Sequence, residues 1–405
     1  MRYPTFPLRS FGFWKVLLSL GFLLFAISFL AACPFCTMQG QTLTGDVNAA
    51  SLVLYGTLKN AKLLPGGDGL QGTTELEVDD VIKDHEIRGG KKVLILPRYV
   101  PPSKDAQYKY LVLCDVFKNK IDPYRGVAFL PESKVGIYLN SALRLKDAPA
   151  SEKLKFFFNW LDSADPEIAN DSYKEFGNAD YKDFKEMAST LPAEKIAGWL
   201  QDKATPGFRL GLYASMLGHC GKKEQAKILE DLLDDKEKRL SSSIDGVLAS
   251  LVLLDKEKGW KRITTILSNP KEEFMLRFAA LKAARFFHDY RPDVIPVSQA
   301  VEAYRPLLDQ GDIADLAIED LRKWKVWAMA DQVLGIRSKE AGKVAIVRRA
   351  ILRFALRCPG DAAKTFVESA RSEDKRAVED AEELLKLEET PPSPPVTDKK
   401  APAAK

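Results

Sequence analysis

Apolar and polar positions follow three different rhythms along the chain. Residues 16–32 form an unbroken apolar run behind Arg2, Arg9 and Lys15, and no acidic residue occurs before it ends. From about residue 37 to 145 the rhythm has a period of two. Short runs rich in β-branched and aromatic residues lie at 51–58, 73–82, 92–97, 110–117 and 135–139. Between them stand Pro65-Gly66-Gly67-Asp68-Gly69, Gly89-Gly90 and Pro101-Pro102, which punctuate strands and turns. Five strands in so short a stretch predict a small antiparallel β-barrel.

From about 148 to 387 the period lengthens to that of a helix. Val347, Ala350, Ile351, Phe354 and Cys358 fall on one helical face, and Gly360-Asp361 then supplies a stop and a new N-cap. This predicts a helical hairpin, and the hairpin recurs. Arg277-Phe278-Ala279-Ala280-Leu281 aligns with Arg348-Arg349-Ala350-Ile351-Leu352, and a third copy starts at Pro206-Gly207-Phe208-Arg209 and runs through Leu212, Tyr213 and Met216. One hairpin cannot bury its apolar face alone, so the pattern predicts an array of stacked units, with Pro292 to Pro306 interrupting the rhythm. After Leu387 the chain turns to Pro, Ala and Lys, and residues 388–405 are expected to be a disordered tail.

Composition narrows the function. With 46% hydrophobic and 29% charged residues the chain is an ordinary folding sequence. Its 60 basic and 56 acidic side chains come close to balance once the three basic residues of the leader are set aside. No overall basic field points to nucleic acid. Three histidines, His85, His219 and His288, leave little material for histidine chemistry, and no phosphate loop, Gly-x-Ser-x-Gly elbow or His-Glu-x-x-His occurs. No metal or cofactor is implied, and the chain reads as a non-enzyme. Asp84-His85-Glu86 reads as a solvated turn, and His219-Cys220 as neighbours pointing apart on a helix.

The basic start and apolar run have the grammar of an export signal, so residues 1–32 are a leader or membrane anchor and the remainder is extracytoplasmic. Leu30-Ala31-Ala32-Cys33 resembles a lipobox, which implies acylation of Cys33. A cleaved secreted form and an uncleaved anchor helix are the alternatives. Five cysteines, an odd number, leave at least one unpaired or modified. Cys220 and Cys358 lie about four helical units apart, too far for a bridge at about 10 Å per layer. Cys114, in a strand, is the candidate partner for Cys36 or Cys33.

The order of the first domain, 33–145, resembles the netrin-like OB-fold barrel of tissue inhibitors of metalloproteinases: an amino-terminal cysteine cluster, a strand ending in Tyr55-Gly56, a strand from Thr74 to Lys83, Gly89-Gly90, and the strand through Cys114. That resemblance implies inhibition of a metalloprotease through a free amine on Cys33, although Cys33-Pro34-Phe35-Cys36 departs from the C-x-C of those inhibitors. The same start and strand order look like exported proteins of planctomycete-type bacteria, which implies no activity. Cys-Pro-x-Cys is also similar to the active-site pair of thioredoxin-like oxidoreductases, implying a thiol-disulfide role for Cys33 and Cys36. The hairpins of 148–387 resemble degenerate HEAT repeats, with Arg209/Gly211, Arg277/Ala279 and Arg348/Ala350 matching their basic and small positions.

Trp160, Trp199 and Trp260 read as core filler, whereas Trp324 and Trp327 share one face beside Arg322, Lys323 and Lys325 and form the candidate partner contact. The leading expectation is a non-catalytic scaffold of the cell envelope, held to the membrane by its lipid or amino-terminal helix. Its helical surface would be presented to a protein partner.

Overall fold

The computed structural model describes residues 34–36, 38–65, 71–101 and 107–389. Residues 1–33 and 390–405 lie outside these residues, whereas Glu388 and Glu389, expected to begin a disordered tail, complete the last helix, where Glu388 pairs with Arg322 and Arg353. A short helix α1 (Leu43–Ala49) precedes five strands: β1 (Leu52–Leu63), β2 (Gly72–Lys83), β3 (Val93–Leu96), β4 (Lys109–Phe117) and β5 (Lys120–Phe129). They form one antiparallel sheet in the order β3-β2-β1-β4-β5. Its edge strands β3 and β5 are not hydrogen-bonded to each other, so the sheet is open, where a closed barrel was expected.

Alternation along the strands builds two cores. Leu52, Leu54, Leu58, Leu76, Leu94, Leu96, Val112 and Cys114 pack together on one face. Val53, Ile82, Leu111, Leu113 and Phe129 join the core of the helices on the other. This is the period of two at work: Leu52 and Leu54 belong to one core and Val53 to the other. Gly56 is needed in β1 because any Cβ there would collide with the carbonyl of Glu77 across the β1–β2 pair.

The fifth strand differs from expectation. Val135–Leu139 is not a strand but the start of helix α2 (Val135–Arg144), with Val135, Tyr138 and Leu139 buried and Ile137 64% exposed. Burial at offsets 0, 3 and 4 is helical, and five residues were too few to distinguish it from alternation. The true fifth strand is β5, joined to β4 by a two-residue turn in which Lys118 and Asn119 both have positive φ (48° and 57°). Such a turn normally carries Asn-Gly. Here a lysine hides it, and Pro123 is tolerated because β5 is an edge strand.

The helices continue as α3 (Ala150–Phe158), α4 (Pro166–Asn178), α5 (Tyr181–Ala188), α6 (Ala193–Gln201), α7 (Leu210–Cys220), α8 (Ala226–Asp234), α9 (Ile244–Leu254), α10 (Lys256–Ser268), α11 (Phe274–Tyr290), α12 (Val297–Glu302), α13 (Ala314–Lys323), α14 (Ala330–Gly335), α15 (Ala345–Arg357), α16 (Asp361–Glu373) and α17 (Lys375–Glu389). Helices one or two places apart in sequence pack against each other. Helix α7 packs on α9, α9 on α10 and α11, and α13 on α15, which in turn meets α16 and α17. The α7–α9 contact is close because both helices offer glycine: a Cβ on Gly246 would lie 2.6 Å from the Gly211 carbonyl oxygen. Helix α9 is consequently buried at every position from Ile244 to Val252.

The proline-interrupted stretch between α11 and α13 buries Ile295, Ala300, Tyr304 and Leu307, and polar groups bridge the two helices. Arg277 grips Asp312 and donates to Gln310 at 2.7 Å, Arg285 meets Asp320 at 2.9 Å, and the Tyr304 hydroxyl donates to the same carboxylate at 2.9 Å. Among the described residues no helix is long and apolar enough to cross a membrane.

Candidate functional site

The first described residues, 34–36 and 38–40, are built into the fold. Phe35 is 2% exposed, its ring centroid 4.6 Å from that of Phe286 on α11, and its carbonyl lies against Gly211 on α7. Tyr181 of α5 meets Phe286 edge-on with ring centroids 5.2 Å apart. Cys36 and Met38 press on α4 where Gly177 leaves room for them. Gly40 and Asn178 exchange hydrogen bonds at 3.0 and 2.8 Å.

Helix α1 is then clamped at both ends. A helix of seven residues is not stable alone. At its start the Asp171 carboxylate of α4 accepts from the backbone N–H groups of Leu43 and Thr44 and from the Tyr138 hydroxyl. At its end the Lys83 ammonium of β2 donates to the carbonyls of Val47, Asn48 and Ala50. Negative charge at the start and positive charge at the end both suit the helix dipole. Arg125 of β5 pairs with the buried Asp46 from the side. Burial raises the Asp171 carboxyl to about 6 against the opposing hydrogen bonds from Tyr138 and Leu43, and burial also lowers the Lys83 ammonium.

The cysteines separate. Cys33 lies outside the described residues. Cys36 sits in the helical core, and no helix starts at it, since α1 begins at Leu43. Cys114 is a free thiol in the inner core of the sheet, so the bridge to Cys36 considered from the sequence is not formed: the two residues occupy different cores on opposite faces of the sheet. Burial pushes the Cys114 thiol up to about 12 and that of Cys220 to about 11, the reverse of what a reactive thiol needs.

Trp324 and Trp327 do not share a helical face. Helix α13 ends at Lys323, Lys325 takes a left-handed φ of 58°, and the two indoles diverge. Trp324 stacks on His288 at 3.6 Å and donates to Asp289 at 2.9 Å, while Trp327 meets Phe354 edge-on at 5.2 Å. Both rings are used to join successive helices of the array. His219 is also internal. Its Nδ1–H donates to the Ser215 carbonyl at 2.7 Å, which leaves Nε2 to accept from the Tyr181 hydroxyl at 3.0 Å, and burial lowers the imidazole to about 4.

A further concavity lies beside Trp160. A pocket of about 560 Å³ lies where the end of β5 meets α3 and α4. Tyr108, Phe129 and Trp160 supply its aromatic wall, and Glu132, Asp162, Asp165 and Glu167 its carboxylates. Trp160 is held edge-on to Tyr138 at 5.3 Å. Asp165 caps α4, accepting from the Glu167 N–H at 3.0 Å, and the Ser133 hydroxyl donates to it. Trp160 looked like core filler, and the signal that marks it is the run Asp162, Asp165, Glu167 immediately after it.

Among the described residues no group of three or more His, Cys, Asp or Glu side chains is arranged to hold a metal ion. Comparison with protein-family models, curated proteins and solved structures finds no match to this chain.

Proposed function

We propose that this chain is a non-catalytic binding protein of the cell envelope. Residues 1–32 direct export and Cys33 carries the lipid that holds the mature protein to the membrane. An OB/netrin-like sheet and a HEAT-like helical array together then present a surface to a protein partner. The observation that carries this reading is the burial of Phe35, two residues beyond Cys33, against Phe286 and Gly211. At about 3.5 Å per extended residue, an anchor at Cys33 would stand only ~7 Å from the interior of the array. Such an anchor holds the helices at the bilayer without a flexible leash.

The buried ionisable groups support the non-catalytic part of the reading. Asp171 caps α1, Asp320 holds Arg285 and Tyr304, Asp245 pairs with Lys282, and His219 is engaged on both nitrogens. Each has a structural partner that accounts for it.

The test is mass spectrometry of the protein purified from envelopes of its native host. The expected species begins at Cys33 and carries the mass of a diacylglyceryl group. A species that retains the leader, or begins at Cys33 with an unmodified thiol and amine, refutes the lipid anchor.

A further inference from the structure

We propose that the pocket between the sheet and the array receives a lysine- or arginine-bearing peptide segment of the partner protein. This deepens the binding role proposed above and rests on it for the existence of such a partner. The argument starts from charge. Glu132 and Glu167 stand at the pocket with no ion pair to either among the described residues. Asp162 is matched by Lys195 at 3.0 Å, and among the described residues Lys134 is the only basic residue of the lining, so negative charge is in excess among them.

The aromatic wall supplies the second half of the recognition. Trp160 is half-buried and held by Tyr138 and by Phe156, whose ring centroid is 6.2 Å away. A rigid indole beside uncompensated carboxylates suits a cation on an aliphatic stem: the stem covers the ring and the charged head meets the acids. The position fits as well. Ligand pockets favour the junctions between structural units, and this one joins β5 to α3 and α4. Two rim carboxylates, each contributing the modest amount usual for exposed pairs, correspond to about a fivefold change in affinity.

The experiment uses the full chain in detergent and a fluorescently labelled tetra-lysine peptide, read by anisotropy at low salt. Saturable binding that weakens with added salt is expected. The double variant Glu132→Gln, Glu167→Gln should weaken it about fivefold, and Trp160→Phe should weaken it without altering circular dichroism. Glu340→Gln, a remote exposed carboxylate, should leave it unchanged. Failure to bind, equal binding of tetra-glutamate, preference for neutral chitotriose, or unchanged affinity in the double variant would each overturn the proposal. These outcomes are independent of the lipid: loss of Cys33 acylation leaves peptide binding intact, and loss of peptide binding leaves acylation intact.

Discussion

Two buried groups should pull the stability of this protein in opposite directions across the same acidic range. Asp171 has its carboxyl raised from 3.8 to about 6 by burial. Between those values the folded chain binds the proton more tightly than the unfolded one, so its contribution is full below about pH 4 and is lost as pH rises through 6. His219 is the mirror case, lowered from 6.5 to about 4 by burial. Here the unfolded chain binds the proton more tightly, so the contribution is full above 6.5 and is lost as pH falls toward 4. Each displacement corresponds to about 3 kcal/mol. Other carboxylates also titrate in this range, so the effect must be read as a difference. Urea unfolding of wild type, Asp171→Asn and His219→Gln should be compared at pH 4 and 7. From pH 7 to 4 the stability of wild type relative to Asp171→Asn should rise by about 3 kcal/mol, and relative to His219→Gln it should fall by about as much. Two flat difference curves, or two of the same sign, would show that these groups are not buried as described.

Three further outcomes follow from packing. Phe35→Ala should destabilise the fold by about 3 kcal/mol at most, limited by the energy at which the segment simply detaches, and a double-mutant cycle with Phe286→Ala should be non-additive in chemical unfolding. Gly246→Ala should cost about 2 kcal/mol in thermal or urea melts, because its methyl meets the Gly211 backbone. Replacing Lys118-Asn119 with Asn-Gly should stabilise by about 0.5–1 kcal/mol, since both positions have positive φ; a lower melting temperature would contradict the turn.

What the sequence made legible was local. Val347, Ala350, Ile351 and Phe354 are buried on the face their spacing described, and β1 to β4 lie within a few residues of their alternating runs. The misses were of other kinds. Helix α1 is held by Asp171 and Lys83, partners remote in sequence, so no local signal announces it. The β4–β5 turn lacks its usual glycine. The burial of Phe35 has no local signal because its ring partner, Phe286, comes far later in the chain. The pocket needed β5 and α4 brought together before the carboxylates near Trp160 could be seen as one lining.

Those long-range contacts also decide where a partner can bind. The array was expected to offer its helical surface, yet the faces of α7 and α11 around Gly211 and Phe286 are covered by the chain's own Phe35. An exchange in which a partner displaced Phe35 would have to expose a buried aromatic ring and undo the Gly40–Asn178 pair beside it. The pocket between β5 and α4 requires no such displacement. Its walls are fixed from both sides, because α1 is gripped by Lys83 of the sheet and by Asp171 of the array, and Arg125 pairs with Asp46. A site whose two halves are already locked together loses little freedom on binding, so modest charge and aromatic contacts there count more fully toward affinity.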